Sequence, residues 1–328
     1  MRNSAHWLHL KTAKLDLKQN PNTTGRVRWQ HLATTSGLMP RPTSTISQAR
    51  QDRCCRVGEI TADDRRDWVY DLVADDGLRF EDELSRIGYR SGKSCKAREV
   101  DSYFELHIEQ GPILDAEGRQ VGIVTGAYPT YGMRVRFEGE TAHTGPTPMD
   151  LRHNALIAGA RFLTAVDDIG WEFAINDGKA TGARLAAWPN KPGILSETAL
   201  CITDVRHPNP VTAKVMAEKM RRTAKASAAM AGCIAVIEDE WSWGGDVFSS
   251  ELIDIMRDEA VRQGCNWCEI QSQAGHDAYH LATYCPTAMI FTPCKGGITH
   301  NNKESCEPED FIAGLNVLLH AVVRRTDR

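Results

Sequence analysis

The sequence has no long apolar run and no excess of basic residues, and each absence excludes a class of protein. No apolar stretch among the 328 residues reaches the roughly 18 needed to span a bilayer. The formal net charge of −4 argues against a general nucleic-acid-binding protein, which would usually be basic. We therefore expect no membrane and no nucleic acid among the partners of this chain, whose 41% hydrophobic content is ordinary for a globular protein.

Paired cysteines with metal-ligand spacing are also scarce. The chain has 10 cysteines, but they are scattered, and no secretory signal precedes them. Cys265 and Cys268 form the only C-x-x-C, and a zinc site would need a second pair at a suitable spacing. We expect reduced, mostly buried structural thiols and a cytoplasmic protein.

Residues 1–56 have almost no acidic side chains. They hold ten Lys and Arg residues, no glutamate, and only Asp16 and Asp52 as acids. This composition is typical of an organelle transit peptide, and it also fits a disordered tail or a segment foreign to the fold. The segment stays unassigned, and the localisation would be organellar if it is a transit peptide.

Residues 104–112 place a histidine between acidic residues in an apolar, strand-like run that a Gly-Pro pair ends. Because side chains alternate along a strand, Glu105, His107 and Glu109 should share one face, with the aliphatic residues between them in the core. One interpretation is a half-buried edge strand with a solvated polar face. The other is a site that binds a metal or handles protons.

The middle third of the chain alternates between strand and helix patterns. A period of two at 133–137 indicates a strand, and helical spacing follows at 151–169. Two further strand candidates precede a helix at 211–231, and a closing strand follows. The order β-α-β-β-α-β predicts a ferredoxin-like domain.

Four motif blocks occur in order: ELHIEQGP at 105–112, GETAHTGPTPM at 139–149, DVRHP at 204–208, and AGHDA at 274–278 followed by GGITHN at 296–301. Together they resemble the hydantoinase/carbamoylase group of the M20 metallo-amidohydrolases. That group includes N-carbamoyl-L-amino-acid hydrolases, beta-ureidopropionases and allantoate amidohydrolases. The resemblance runs from about Gly58 to the C-terminus.

The resemblance implies an α/β fold with an aminopeptidase-like catalytic domain in two pieces. These pieces would be residues 57–126, where the domain is incomplete, and residues 239–328. A ferredoxin-like lid or dimerisation domain at 127–238 would be inserted between them. A homodimer through this lid is also implied.

The resemblance further implies two divalent metal ions, zinc or manganese, which activate a water for attack on an amide or ureido C–N bond. His107 would bind one metal and His300 the other, and His143 would bind the substrate carbonyl as negative charge develops on it. Arg206 would hold a substrate carboxylate, because a guanidinium matches a carboxylate bidentately. The alternative for Arg206 is a strand-end salt bridge.

Gln110, Asn190 and Gly297 are weaker substrate-binding candidates. Many relatives have a second asparagine three residues after the position of Asn190, where this chain has Gly193, so the exact substrate stays open. His276, in the AGHDA motif, has a structural interpretation, in which it holds the loop near the site and does not contact the substrate.

The rest of the family's metal-binding set is not found upstream of His107. This set comprises a His-x-Asp motif, a bridging Asp, and a Glu-Glu pair that supplies the general base. We therefore expect a truncated or rearranged member with little or no activity. The competing hypotheses are a metal-dependent amidohydrolase for N-carbamoyl amino acids or allantoate, a non-catalytic dimerising or binding protein built on the lid, and an M20 dipeptidase.

Overall fold

The computed structural model describes residues 13–16, 28–30, 70–74, 77–90, 100–245 and 248–327. They form an α/β fold with two sheets, so the predicted fold class is confirmed. The chain divides into two compact units, Met1–Gly126 with Asp246–Arg328, and Ala127–Gly245. Within the described ranges no helix has the length and apolarity to cross a membrane. The interpretations of residues 1–56 fall outside the described residues, apart from two short strands.

The described strands are β1 (Ala13–Asp16), β2 (Arg28–Gln30), β3 (Tyr103–Ile108), β4 (Val121–Ala127), β5 (Thr130–Glu138), β6 (Lys179–Trp188), β7 (Thr198–Arg206), β8 (Ile234–Trp243), β9 (Trp267–Ser272) and β10 (Thr287–Thr292). The described helices are α1 (Phe80–Arg86), α2 (Ile113–Ala116), α3 (Ala155–Phe173), α4 (Pro210–Met230), α5 (Ser250–Arg262), α6 (Asp277–Leu281) and α7 (Pro308–Thr326). Short 3-10 turns lie at Met149–Leu151, Ala174–Asn176 and Lys295–Gly297.

The first unit contains a six-stranded sheet in the order β2-β1-β3-β10-β4-β9. Its central strands β3 and β10 are parallel, with Thr287 opposite Tyr103 and Thr292 opposite Ile108. Strand β4 is antiparallel to β10, and β1 is antiparallel to β3. Because β3 and β10 run in the same direction, the loops that follow them leave the sheet side by side at the carboxyl ends of the two strands.

Strand β3 is buried on both faces. Glu105 is 2% exposed and Leu106 is 3% exposed. Glu105 and His107 both approach the ring of His276, whereas Leu106 packs near Gly314 of α7. The predicted alternation is thus confirmed for Glu105, Leu106 and His107, whereas Glu109 lies beyond the end of the strand. The interpretation as an edge strand with a solvated polar face is wrong, because β1 and β10 flank β3 and its polar face is covered.

The second unit is an antiparallel sheet of four strands in the order β6-β7-β5-β8. With α3 after β5 and α4 after β7, this is the predicted βαββαβ, ferredoxin-like arrangement. One core joins the sheet to both helices, and Phe137, Phe162, Met216 and Met220 are fully buried in it. We call residues 127–245 the lid unit.

The two long helices of the lid unit begin at asparagine caps. Asn154 accepts a hydrogen bond from the Leu156 N–H at 3.2 Å at the start of α3. Asn209 accepts from the N–H groups of Val211 and Thr212, at 2.9 and 3.1 Å, at the start of α4. Such caps satisfy N–H groups that have no partner inside the helix, so the polar sequence itself fixes where each helix begins.

Replacing Phe162 by alanine should destabilise the chain by about 3–5 kcal/mol, because the change leaves a cavity in a closed core. Trp171 lies on the same helix and is 75% exposed, so Trp171→Ala is the matched control and should change stability by less than about 0.5 kcal/mol. Urea unfolding followed by far-UV circular dichroism measures both values. Equal losses in the two variants would contradict this assignment of the core.

Candidate active site

His107 lies near the carboxyl end of β3, opposite Phe291 of β10. Its Nδ1 is 2.8 Å from the carbonyl oxygen of Ile108, which can only accept, so Nδ1 carries the proton and donates. The Nε2 atom of the neutral ring then has the lone pair that imidazole uses to bind metals. The ring centroid of His107 lies 4.6 Å from that of His276, at an interplanar angle of 73°.

Glu105 and His276 form a buried polar cluster beneath His107. The Glu105 carboxylate accepts hydrogen bonds from the Tyr103 hydroxyl at 2.9 Å and from the Ala278 N–H at 3.0 Å. Its other oxygen lies 3.6 Å from Nδ1 of His276, whose Nε2 is buried with no hydrogen-bond partner among the described residues. Burial and the neighbouring Glu105 raise the pKa of Tyr103. These contacts hold the AGHDA loop against β3.

Glu109 follows β3 and is only 8% exposed. Its two carboxylate oxygens accept hydrogen bonds from the N–H groups of Ile113 at 2.9 Å and Leu114 at 2.7 Å, at the start of α2. Burial raises the pKa of Glu109, and the two N–H bonds oppose that rise. The carboxylate therefore holds the turn after β3 in place.

His300 lies in the loop after β10 with a left-handed backbone, at φ 54°. A single carboxylate oxygen of Glu304 accepts from the His300 N–H and from the Thr299 hydroxyl, both at 2.9 Å. Gln110, which also has a positive φ of 61°, places its Nε2 3.3 Å from Nε2 of His300 and 3.4 Å from the Thr299 hydroxyl oxygen. The structure thus brings Gln110 and His300 together.

Gly297, in the loop after β10, lies against the turn after β3. A Cβ atom at Gly297 would lie 2.8 Å from Cβ of Pro112, and the residue has a φ of 66°. Both the contact and the backbone conformation require glycine here. Its observed role is therefore to let the His300 loop pack against the turn after β3.

The side chains around His107 and His300 do not fit a two-metal centre. Within residues 70–74, 77–90, 100–245 and 248–327, no three His, Cys, Asp or Glu side chains are grouped so that they could hold a metal ion. Even a single catalytic zinc takes three protein ligands. The acids on either side of His107 are already bonded, Glu105 to Tyr103 and Glu109 to α2. The described donors at this end of the sheet therefore do not complete a metal site.

His143 lies in the lid unit on an exposed loop after β5. Its Nδ1 accepts a hydrogen bond from the Gly145 N–H at 3.0 Å, so the proton of the neutral ring is on Nε2. Arg152 spans the same loop, donating to the carbonyl oxygens of Thr147 at 3.0 Å and Thr144 at 2.6 Å. The hydrogen bonds of Arg152 therefore hold the loop, and Nε2–H of His143 can act as a hydrogen-bond donor.

Asn190 lies on a neighbouring loop of the lid unit and is exposed. Two backbone hydrogen bonds join this loop to the His143 loop, from Leu195 N to Ala142 O at 2.8 Å and from Thr144 N to Gly193 O at 3.1 Å. The structure therefore places the loops of Asn190 and His143 side by side.

Arg206, at the end of β7, forms a bidentate ion pair with Asp204, with N–O distances of 3.0 and 3.3 Å. The guanidinium also lies 5.1 Å from the ring centroid of Trp243. The strand-end salt bridge that the sequence left open is thus present. Arg206 is opposite the first residue of β5 and Thr198 is opposite the last, so the nine residues of β7 span roughly 26 Å. The loop of His143 follows β5 at the Thr198 end.

Sequence reasoning missed Glu304 and Arg152. Glu304 holds the His300 backbone and Arg152 braces the His143 loop, and both act on backbone groups of a nearby loop. Neither contact produces a periodic pattern in the sequence. A search for charged residues just beyond a candidate histidine would have found Glu304, four positions after His300.

Three comparisons with known proteins identify the family of this chain. Residues 72–324 match Peptidase family M20/M25/M40. The chain is 35% identical over 263 residues to an N-carbamoyl-L-amino-acid amidohydrolase of Rhizobium meliloti, covering 80% of this chain and 62% of that protein. It is 27% identical over 248 residues to an allantoate amidohydrolase of Bacillus subtilis (strain 168), covering 74% of this chain and 59% of that protein.

The crystal structure of a hydantoinase/carbamoylase family amidase from Burkholderia vietnamiensis superposes with a TM-score of 0.77 at 36% identity. The match covers 82% of this chain and 65% of that chain.

The chain therefore belongs to peptidase family M20/M25/M40, a family of hydrolases. Within that family its relatives and structural neighbours are hydantoinase/carbamoylase amidases, so the resemblance found in the sequence motifs is confirmed. The chain spans less than two thirds of the length of these relatives, 62% in the Rhizobium meliloti protein.

Replacing Glu109 by glutamine should change how stability depends on pH. Because burial raises the pKa of Glu109 in the folded chain, the folded state binds its proton more tightly than the unfolded state does. The stability that this difference contributes is present at low pH and is lost as the pH rises through the folded pKa. The wild type should therefore lose stability relative to Glu109→Gln over that interval.

Unfolding free energies in urea test this prediction. They are measured from about pH 4, close to the ordinary pKa of a glutamate, up to about pH 8. Glu117→Gln is the control, because the Glu117 side chain is 52% exposed. Parallel pH profiles for the wild type and Glu109→Gln would overturn the assignment.

Proposed function

We propose that this chain carries the substrate-facing part of a metal-dependent amidohydrolase for N-carbamoyl-L-amino acids or allantoate-type ureido compounds. We further propose that, as this polypeptide, it hydrolyses them weakly or not at all. The observation that carries the proposal is the set of donors around His107, where the nearest carboxylates, Glu105 and Glu109, already hold other groups. General-base action alone is worth about 10²–10⁴-fold in rate, and no described carboxylate is placed to supply it beside a metal pair.

The substrate class is supported by two side chains of the lid unit. His143 offers an exposed Nε2–H donor, which suits a carbonyl oxygen on which charge develops. Arg206 has a guanidinium whose fork matches a carboxylate, a group shared by N-carbamoyl amino acids and allantoate. A substrate carboxylate would have to replace Asp204, which now occupies that fork. The names of the similar proteins from Rhizobium meliloti and Bacillus subtilis favour these substrates over dipeptides.

A homodimer through the lid unit is part of the same proposal. Strand β6 is an edge strand of 10 residues, most of them exposed, with Leu185 37% and Trp188 68% accessible. A long exposed edge strand can pair with another strand. Arg206 lies at one end of β7 and the loop of His143 begins near the other end, so a small substrate that touches both side chains would take them from two copies.

Metal loading tests the proposed lack of activity. After incubation with zinc or manganese and removal of free ions, the purified chain should retain close to no metal. The chain should hydrolyse an N-carbamoyl-L-amino acid, allantoate and a dipeptide no faster than the uncatalysed background rate. A full-length N-carbamoyl-L-amino-acid amidohydrolase is the positive control. About two ions per chain with clear turnover of any of the three substrates would overturn the proposal.

If the chain retains some metal, the double variant His107→Ala, His300→Ala decides whether these histidines hold it. Loss of the ions in this variant would place the residual metal at the sheet edge. Retention would place it elsewhere and remove both residues from the candidate site.

Replacing Ala186 by lysine tests the dimer. Ala186 is exposed on β6, and a charge there would be brought near its own copy in a two-fold pairing of edge strands. We expect the dimer dissociation constant to rise at least about tenfold, a cost of about 1.4 kcal/mol. Val211→Lys, at a position 70% exposed on α4, is the matched control and should leave association unchanged. Sedimentation velocity over a concentration series measures both, and a monomeric wild type would refute the dimer.

A further inference from the structure

Cys294 and Cys306 lie on the two arms of the loop that carries His300. The Lys295 N–H donates to the carbonyl oxygen of Ser305 at 2.9 Å, so these two residues are opposite each other as in an antiparallel pair. If this antiparallel contact continues by one residue, the next pair outward is Cys294 with Cys306. Cys294 has an extended backbone, at φ −114° and ψ 117°, which continues the direction of β10.

The two cysteine side chains also lie on the same side of the loop. Thr292 precedes Cys294 by two residues, and in an extended chain such positions share a face. The Cys306 Sγ atom lies 3.7 Å from the Thr292 hydroxyl oxygen, which places Cys306 on that face too. Residues that flank a hydrogen-bonded pair have Cα atoms about 4.5 Å apart, within the usual span of about 4.4–6.8 Å for a disulfide.

The two thiols differ in access. Cys294 is fully buried, and its Sγ–H donates to the Ile298 carbonyl oxygen at 2.7 Å. Burial raises the pKa of Cys294 to about 11, and the charges of Glu304 and Cys306 add to that rise. Cys306 is partly exposed; burial raises its pKa, and the hydrogen bond with the Thr292 hydroxyl opposes that rise. A small reagent from solution therefore reaches Cys306 first.

We propose that Cys294 and Cys306 form a redox-active thiol pair whose disulfide closes the His300 loop. The oxidant is a low-molecular-weight disulfide such as oxidised glutathione. Both residues are free thiols in the structure.

The reaction has two exchange steps. The Cys306 thiolate attacks one sulfur of the small disulfide, which forms a mixed disulfide and releases one small thiolate. The Cys294 thiolate then attacks the Cys306 sulfur, which forms the protein disulfide and releases the second small thiolate. The two protons of the cysteines pass to the two small thiolates, so the protein is oxidised by two electrons and the small disulfide is reduced by two.

The bond would act on the loop that carries His300 and Gly297. It would join the end of β10 to the start of α7 and close the intervening residues into a ring. A covalent ring limits the conformations open to the loop, whereas the reduced pair leaves it held by hydrogen bonds such as those of Glu304.

Peptide mapping of the full chain tests the proposal. The protein is equilibrated in buffers of increasing oxidised-to-reduced glutathione ratio, its remaining thiols are alkylated, and it is digested with trypsin and chymotrypsin together. Cleavage after Phe291, Lys295, Lys303 and Phe311 releases Cys294 in the peptide 292–295 and Cys306 in the peptide 304–311. This separates Cys294 from Cys285 and from the C-x-x-C cysteines.

We expect these two peptides to be joined, with the loss of two hydrogen masses, and Cys294 and Cys306 to lose alkylation together. Cys306→Ser should leave Cys294 alkylated at every ratio. Cys265→Ser is the matched control and should leave the linked peptide at its wild-type yield. Four outcomes would overturn the proposal: glutathione on Cys306 beside an alkylated Cys294, a link from either cysteine to another cysteine, alkylation of both residues at the most oxidising ratio, or a linked yield that falls in Cys265→Ser.

Discussion

The parallel pairing of β3 with β10 is the constraint on which the candidate site depends. It brings two segments that are more than 180 residues apart in the chain to one edge of the sheet, with Phe291 opposite His107. The turn after β3 and the loop after β10 must then fit beside each other. Glycine at 297 allows that contact, and the left-handed backbones of Gln110 and His300 turn their side chains towards each other.

Burial of the polar face of β3 decides what its acidic residues do. A buried carboxylate needs hydrogen-bond donors, and without them the cost of removing it from water is large. Glu105 finds them in Tyr103 and in the backbone of Ala278, and Glu109 finds them at the first turn of α2. These bonds orient the loops but use the oxygens that a metal would need. The same acids that look like ligands in the motif therefore act as supports in the described structure.

Sequence periodicity was sufficient for the lid unit and insufficient for the site. The two long helices and the alternating strands of the lid repeat at 3.6 and 2 residues, and their order alone defines the ferredoxin-like topology. The burial of β3 depends on pairing with β1 and β10, which no local pattern reports. The same limit applies to Arg206, because its fork matches a substrate carboxylate and the side chain of Asp204 equally well, and only the coordinates show which is bonded. The motifs located His107 and His300, but not Glu304, whose role is visible only in the fold of the loop.

The core of the lid unit is separate from the loops that carry His107 and His300. The lid unit has its own core, in which Phe137 of the sheet contacts Phe162 of α3, so its stability draws on residues 127–245. Metal binding would draw on loops of the other unit, at the ends of β3 and β10. Incomplete metal ligands therefore need not cost the lid any of its packing, and the edge strand β6 stays available for pairing. The packing of residues 127–245 is therefore independent of whether the loops after β3 and β10 hold a metal.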